Sequence, residues 1–407
     1  MKKKFSTFIF TLVISTNISA NGYYAFNHSS QSFALAGAYQ SQAKTADAAY
    51  YNPANLVWIK NPQSLIQFDA ILAHQERQAF TGSVNLPTPE TDASGNQDPI
   101  NAFMPYGFYV SPQYNHWRWG ISTTYQGVSS NWKNQPQALL IGKASAASVF
   151  INPVISYELN EQWAVGAGIQ MNYSMLEQQA KGNLLGSDIH LHLDTKGASL
   201  SPNIALSYRP TEKLSFSAHY RFSTKTKLMG KAKISDGIDN YDGKVELNML
   251  TPASLKLSSA YEFKNTLLEL AFSRIYWGEL STSQLKLDRD LTGISALFQA
   301  EAIKDWRDTD TIYLGISQKL NSQTTLLLGL SQDLGTAVPE KNLNFDWLDS
   351  KVTTYGLGLT YQYKPNLTLG TAYNFANYEK VNVKNDFLTG SYARNVHVIS
   401  FSLTNNF

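Results

Sequence analysis

The stretch Trp163-Ala164-Val165-Gly166-Ala167-Gly168-Ile169-Gln170-Met171-Asn172-Tyr173-Ser174 alternates without a break. Trp163, Val165, Ala167, Ile169, Met171 and Tyr173 fall on one side of an extended chain. Ala164, Gly166, Gly168, Gln170, Asn172 and Ser174 fall on the other. A period of two is the signature of a strand. One side is apolar with an aromatic residue at each end, and the other is small or polar. A soluble sandwich would bury the apolar side in a core and would not need aromatic ends. A strand crossing a bilayer places such residues at the two interfaces. Residues 117–126 repeat the pattern, with Trp117, Trp119, Ile121, Thr123 and Tyr125 opposite Arg118, Gly120, Ser122, Thr124 and Gln126. Residues 214–223 and 355–363 follow it as well.

About fourteen such segments run from one centred on Phe68 to one centred on Phe401, within the even strand numbers of bacterial barrels. Tight connections, such as residues 112–116, 159–162, 262–265 and 320–323, alternate with long polar ones at 74–104, 127–147, 176–199, 224–249, 278–309, 333–351 and 376–391. Short turns on one side and long loops on the other are expected of an outer-membrane barrel. The chain closes on Val398-Ile399-Ser400-Phe401-Ser402-Leu403-Thr404-Asn405-Asn406-Phe407, an alternating strand ending in an aromatic residue. Barrel assembly machinery recognises last strands of this kind. The fold expected is therefore all-β: a transmembrane antiparallel β-barrel of about fourteen strands.

Composition agrees. Charged residues are 16% of the 407, aromatics 13%, and formal net charge is +2. Mean hydropathy is −0.26, which excludes a helical membrane bundle. Beyond the first twenty residues no apolar run approaches the ~20 residues of a spanning helix. The balanced charge gives no reason to expect nucleic acid as partner. Without cysteine the chain has no disulfides, no zinc thiolates and no thiol catalysis. Met1-Lys2-Lys3-Lys4, the apolar residues 5–18 and Ile18-Ser19-Ala20 form a secretory signal peptide, with Asn21 as the mature N-terminus. The division expected is signal peptide 1–20, N-terminal segment 21–62 and barrel 63–407. The chain is expected to work as a monomer in the Gram-negative outer membrane, among its lipids and lipopolysaccharide.

The non-barrel segment reads Asn21-Gly22-Tyr23-Tyr24-Ala25-Phe26, then Ala34-Leu35-Ala36-Gly37, then Tyr50-Tyr51-Asn52-Pro53-Ala54. It resembles the N-terminal hatch of the outer-membrane long-chain fatty acid transporters, the FadL-like (OMPP1/FadL/TodX) family. Tyr157-Glu158-Leu159-Asn160-Glu161-Gln162-Trp163, Leu250-Thr251-Pro252-Ala253-Ser254-Leu255 and Lys304-Asp305-Trp306-Arg307-Asp308-Thr309 are similar to further family blocks, in order and spacing. The resemblance implies a barrel plugged by its hatch and passive uptake of long-chain fatty acids or related hydrophobes. A ligand would be captured outside, held in an internal pocket and released through the wall. It brings Tyr23 and Phe26 near ligand, with Asn21, Gly22, Asn52, Pro53 and Ala54 in the hatch. Lys304, with Arg307 close by, would meet an acidic head group, and the kinked third strand containing Gly120 would be the lateral exit. Each has a plainer reading: packing for Tyr23 and Phe26, a turn for Asn52-Pro53, a solvated rim charge for Lys304, clearance for the plug at Gly120. Another cation expected after the fifth strand is absent until Lys181, which favours neutral or differently shaped hydrophobes, aromatic hydrocarbons among them.

Several loop residues are too apolar for free loops. Leu184, Leu185, Ile189, Leu191 and Leu193 suggest a capture groove. Leu291, Ile294, Leu297 and Phe298, at helical spacing, suggest loop packing, and Ala138-Leu139-Leu140-Ile141 is a third patch open to either reading. His190 and His192 share a face, but two ligands do not make a metal site. His28-Ser29 with Asp47 lacks the setting of a nucleophile elbow. No catalytic residue, metal or cofactor is expected. A lipase would need a Ser/His pair on adjacent wall strands, and an adhesin would not need a plug.

Overall fold

A computed structural model of the chain describes residues 27–60, 63–85, 91–132, 137–184, 186–345 and 347–407. The signal peptide, Asn21, Gly22, Tyr23 and Phe26 lie outside the described residues.

Fourteen antiparallel strands close into a barrel. In chain order they are β1 Leu65–Gln75, β2 Ile100–Val110, β3 Trp117–Asn131, β4 Lys143–Glu158, β5 Trp163–Leu184, β6 Ser187–Thr211 and β7 Leu214–Arg221. These are followed by β8 Ala253–Phe263, β9 Thr266–Tyr276, β10 Thr309–Lys319, β11 Thr324–Asp333, β12 Val352–Lys364, β13 Leu367–Tyr378 and β14 Asn395–Asn406. The ring closes where β1 pairs with β14, from Leu65↔Asn406 to Gln75↔Val396. Every expected strand centre, from Phe68 to Phe401, falls inside one of these strands.

The alternation has the sense expected in lipid. On β3, Trp117 and Trp119 are exposed while Arg118, Gly120, Ser122 and Thr124 are buried. On β6, Leu200 is 61% exposed and Ile204 52%, whereas Ser201 and Asn203 are buried. An apolar exterior around a polar interior is stable only with hydrocarbon outside it.

Residues 27–60 fill the interior. They contain helix α1 (Ser30–Ala34), helix α2 (Ala48–Tyr51) and a 3-10 turn (Pro53–Trp58). Ser29 caps α1, its hydroxyl accepting the Ser32 amide at 3.4 Å. Pro53 starts the 3-10 turn where a missing N–H costs nothing. The Ala, Ser and Gly of this segment are small because its backbone lies against the wall. A Cβ on Gly329 would stand 2.0 Å from the Leu35 carbonyl carbon, and one on Gly166 2.5 Å from the Ala54 nitrogen. Only glycine allows that approach.

Two stretches expected as polar loops are sheet. β5 and β6 continue far beyond the apolar band to Leu184 and Ser187, in one unbroken register. Residues 224–251 form a hairpin, Thr224–Ser235 with Asn240–Thr251, whose first strand also pairs with the outer end of β6. These segments alternate as well, but their exposed face is charged, so they do not read as membrane strands. Their inner face buries Leu191, Leu193, Ala232, Ile234, Tyr241 and Val245 against Leu291 and its loop. Gly293–Phe298 is a 3-10 turn, in line with its helical spacing, and Gln137–Ile141 is a short helix that the sequence reading did not anticipate.

Candidate functional site

Charges on the inner wall each hold a backbone group of the N-terminal segment. The Glu269 carboxylate accepts the amides of Gln40, Ser41 and Gln42 at 2.8, 3.0 and 2.9 Å. Lys256 Nζ donates to the Gly37 carbonyl at 2.6 Å and lies 4.4 Å from the Tyr313 ring centre. Asp69 accepts the Ser30 amide at 2.6 Å. Arg221 donates to the Tyr50 carbonyl at 2.5 Å, and the His219 ring meets the Tyr51 carbonyl at 3.0 Å. Arg118 donates to the carbonyls of Ile59 and Gln63 at 3.2 and 2.6 Å. Carboxylates thus take N–H groups and cations take C=O groups, so an irregular backbone is satisfied in a closed lumen. Asn52 belongs to this set: its amide donates to Ser207 Oγ at 2.8 Å, and the Ala54 carbonyl accepts from Ser156 at 3.0 Å.

The wall has one short seam. β2 and β3 pair only from Gly107↔Thr123 to Val110↔Gly120. Outward of Thr123, β3 keeps its register with β4 as far as Asn131↔Lys143, and β2 keeps its own with β1 up to Gln75↔Ile100. Residues 100–106 and 124–131 therefore face each other with no ladder. Pro105, in this stretch of β2, has no N–H to donate to one. The Tyr106 hydroxyl crosses to the Tyr125 carbonyl at 3.2 Å. The ladder resumes beyond the barrel as a Gln97↔Trp132 bridge. Phe103, 53% exposed on the lipid side of β2, puts the gap at hydrocarbon depth. On the lumen side, His28 packs edge-on against Tyr106 and Tyr50, with ring centres 5.2 and 4.6 Å apart.

Above the barrel, a half-open cavity of about 380 Å³ is lined by the ends of β3 to β6, the 224–251 hairpin and the 278–306 loop. Leu176, Leu191, Leu193, Leu247, Phe298 and Trp306 supply its apolar surface, and Lys304 is the one charged residue among its lining residues. A smaller cleft lined by Gln126, Gly127, Val128, Ala146 and Met249 continues from it with room for about 10 Å³, about one water molecule. This closed throat lies on the part of β3 that has lost its ladder with β2. The cavity's outer side rests on an aromatic cluster: Trp306 is edge-on to Trp277 at 4.8 Å and to Trp347 at 5.1 Å. Asp349, buried beside that cluster, accepts the amides of Ala337 and Val338 at 2.8 and 3.1 Å. Burial pushes its carboxyl up to about 7.

Of the residues singled out in the sequence, Lys304 lines the cavity, half-buried, while Arg307 is exposed and outside its lining. Gly120 lies in the paired part of the β2–β3 seam, where a Cβ would stand 3.1 Å from Ala49 and 3.2 Å from Leu56. The capture-groove residues Leu191 and Leu193 and the loop residues Leu297 and Phe298 line the same cavity. His190 and His192 share a face, with Lys181 and Lys233 as cross-strand neighbours. Sequence reasoning missed Glu269, Lys256, Asp69 and Arg221. The available signal was a single full charge on the lumen side of a strand, as in Leu267-Leu268-Glu269-Leu270-Ala271.

A family model described as "Outer membrane protein transport protein (OMPP1/FadL/TodX)" matches residues 11–407. Outer membrane protein P1 of Haemophilus influenzae is 19% identical over 341 residues, 75% of this chain and 72% of that protein. A crystal structure of a Pseudomonas aeruginosa FadL homologue superposes with a TM-score of 0.84 at 16% identity, covering 95% of this chain and all of that one. The Pseudomonas putida toluene transporter TodX gives 0.70 at 18% identity, with 95% and 100% covered. The Ralstonia pickettii toluene transporter TbuX gives 0.69 at 15%, with 94% and 99% covered.

Proposed function

This chain belongs to the OMPP1/FadL/TodX family of outer membrane transport proteins, and from that premise we propose that it takes up long-chain fatty acids or similar hydrophobic molecules passively. The observation that carries this reading is an apolar cavity with one cation, leading by a throat to an unpaired seam in the wall. An acyl chain entering the cavity gains about 0.8 kcal/mol per buried CH₂. Lys304 meets the carboxylate, since an ionised group taken into an apolar site needs a partner. Passage inward requires the throat at residues 126–128 to widen. The N-terminal segment, acting as a hatch with its first residues near the ligand, is the moving part. Exit is lateral, between residues 100–106 of β2 and 124–131 of β3, so that the ligand passes into the membrane without entering water.

Uptake of neutral aromatic hydrocarbons is the second reading, favoured by the toluene transporters among the similar structures and by the single cation at the cavity. Titration of the purified protein with oleate, an equally long neutral alcohol and toluene separates them. A charge-assisted contact at a half-exposed lysine is worth about 1.5 kcal/mol, so Lys304→Ala should weaken oleate roughly tenfold and leave the alcohol unchanged. Equal losses for both would assign Lys304 to packing. Tighter binding of toluene than of either chain would replace the fatty acid reading.

A further inference from the structure

The outer half of the β5–β6 sheet and the hairpin beside it have a second face, turned away from the cavity. The unbroken register lets the outward side of β6 be followed from the membrane upward: Ile204, Pro202, Leu200, Ala198, then Lys196, Asp194, His192 and His190. The hairpin strand Thr224–Ser235 stands beside it and exposes Lys225, Lys227, Met229, Lys231 and Lys233 at successive alternate positions. Contact with the membrane strand is immediate, since a Cβ on Gly197 would lie 2.1 Å from the Lys227 carbonyl oxygen. The lysines therefore begin where the lipid-facing band ends, at Leu200.

This surface is only partly neutralised from within. Lys227 pairs with Glu246 at 2.6 Å and Lys233 with Asp242 at 3.0 Å. Lys196, Lys225, Lys231 and Lys244 have no ion pair among the described residues. Lys231 stands directly opposite Lys244 in the ladder, an arrangement that destabilises a sheet. Asp194 is opposite Lys231 on the other side without reaching ion-pair distance. Across the barrel, the upper ends of β1 and β14 carry His74, Glu76, Asn395 and His397, with Glu76 and His397 paired at 3.0 Å.

We propose that this face binds the phosphorylated glucosamine headgroup of outer-leaflet lipopolysaccharide. The ligand chemistry follows from the position. The outer leaflet places phosphates directly above its hydrocarbon, where Lys196, Lys225 and Lys227 stand. Lys231 and Lys244 extend the cationic field outward, toward further phosphates on the sugar core. Met229, 57% exposed among the lysines, offers an apolar contact to the upper acyl chain. An anion between Lys231 and Lys244 relieves their repulsion, so binding holds the hairpin upright and the cavity walls in place.

The test uses the full-length barrel in detergent micelles and in phosphatidylethanolamine nanodiscs, titrated with phosphorylated lipid A, dephosphorylated lipid A and inorganic phosphate. Lipid A should bind in a salt-sensitive manner and raise the unfolding temperature, whereas the dephosphorylated form and millimolar phosphate should do neither. Replacing Lys196, Lys225, Lys231 and Lys244 together by Gln should weaken lipid A by roughly tenfold or more. The same change at the distant Lys351, Lys380 and Lys384 should not. If the fourfold variant fails to fold, Lys244→Gln alone serves, because removing half of a like-charge pair should firm the apo hairpin while weakening lipid A. Undiminished lipid A binding by a folded variant, equal binding of the dephosphorylated form, or phosphate binding as tight as lipid A would each overturn the proposal.

Discussion

Glu269 shows what one side chain does in a closed lumen. Buried on β9, it satisfies three consecutive amides of the N-terminal segment at once. Glu269→Ala leaves those three donors without their acceptor, a type of change that costs about 1–3 kcal/mol or more. The heat-modification midpoint on gels should fall, and amide exchange should quicken at residues 40–42; unchanged exchange there would mean the segment is held elsewhere. Asp349 makes a pH prediction. Its folded-state value of about 7 lies above the ordinary carboxylate range because of burial, so the folded protein holds this proton more tightly than the unfolded chain. Stability from this group is full at acid pH and declines as pH rises from the normal carboxyl value through about 7. Protection of the Ala337 and Val338 amides, taken relative to the intrinsic exchange rate at each pH, should fall between pH 5 and 8, and Asp349→Asn should flatten that dependence.

At the scale of elements, the short β2–β3 ladder is the feature that function would use. Continued past Gly107↔Thr123, its register would bring Met104 opposite Gln126. Cysteines at these two positions, bridged by a short reversible thiol crosslinker in a chain otherwise lacking cysteine, should stop hydrophobe uptake and restore it on reduction. Equal transport before and after reduction would place the exit elsewhere. Burial along β3 departs from its sequence alternation at the gap: Trp117 and Trp119 face lipid, but Tyr125, of the same parity, is buried. The strand therefore leaves the regular wall near the residue where pairing ends.

For the whole molecule, the N-terminal segment and the barrel form one polar-bonded unit, so a hatch that moves must do so without breaking most of these bonds. The wall charges hold the segment from Ser30 to Ile59, so we propose that movement is confined to the residues before Ser30. Deleting residues 22–26 should impair hydrophobe uptake while leaving a folded, heat-modifiable barrel in the outer membrane. Normal uptake by a correctly assembled deletion mutant would remove this segment from the mechanism.

The sequence by itself determined the strands, which side of each faces lipid, and the alternation of tight turns with long excursions. These are local consequences of a period of two and of the bilayer's demand for an apolar exterior. Asn52-Pro53-Ala54 and the apolar loop residues were also legible, because turn chemistry and misplaced hydrophobes are visible in a few consecutive residues. Only the tertiary structure decided the rest. Glu269 and the Gln40 amide are brought together from positions 229 residues apart. Lys304 and Leu191 share a cavity because separate excursions fold over one rim, whereas Arg307, three residues on, turns to solvent. The outer halves of β5 and β6 read as loop because their exposed faces are charged, and they are sheet because neighbours across the ladder complete their hydrogen bonds. The gap between β2 and β3 is a property of two strands failing to meet. No residue pattern within either strand fixes where a ladder stops, since pairing is a relation between segments and is settled only when the barrel closes around its plug.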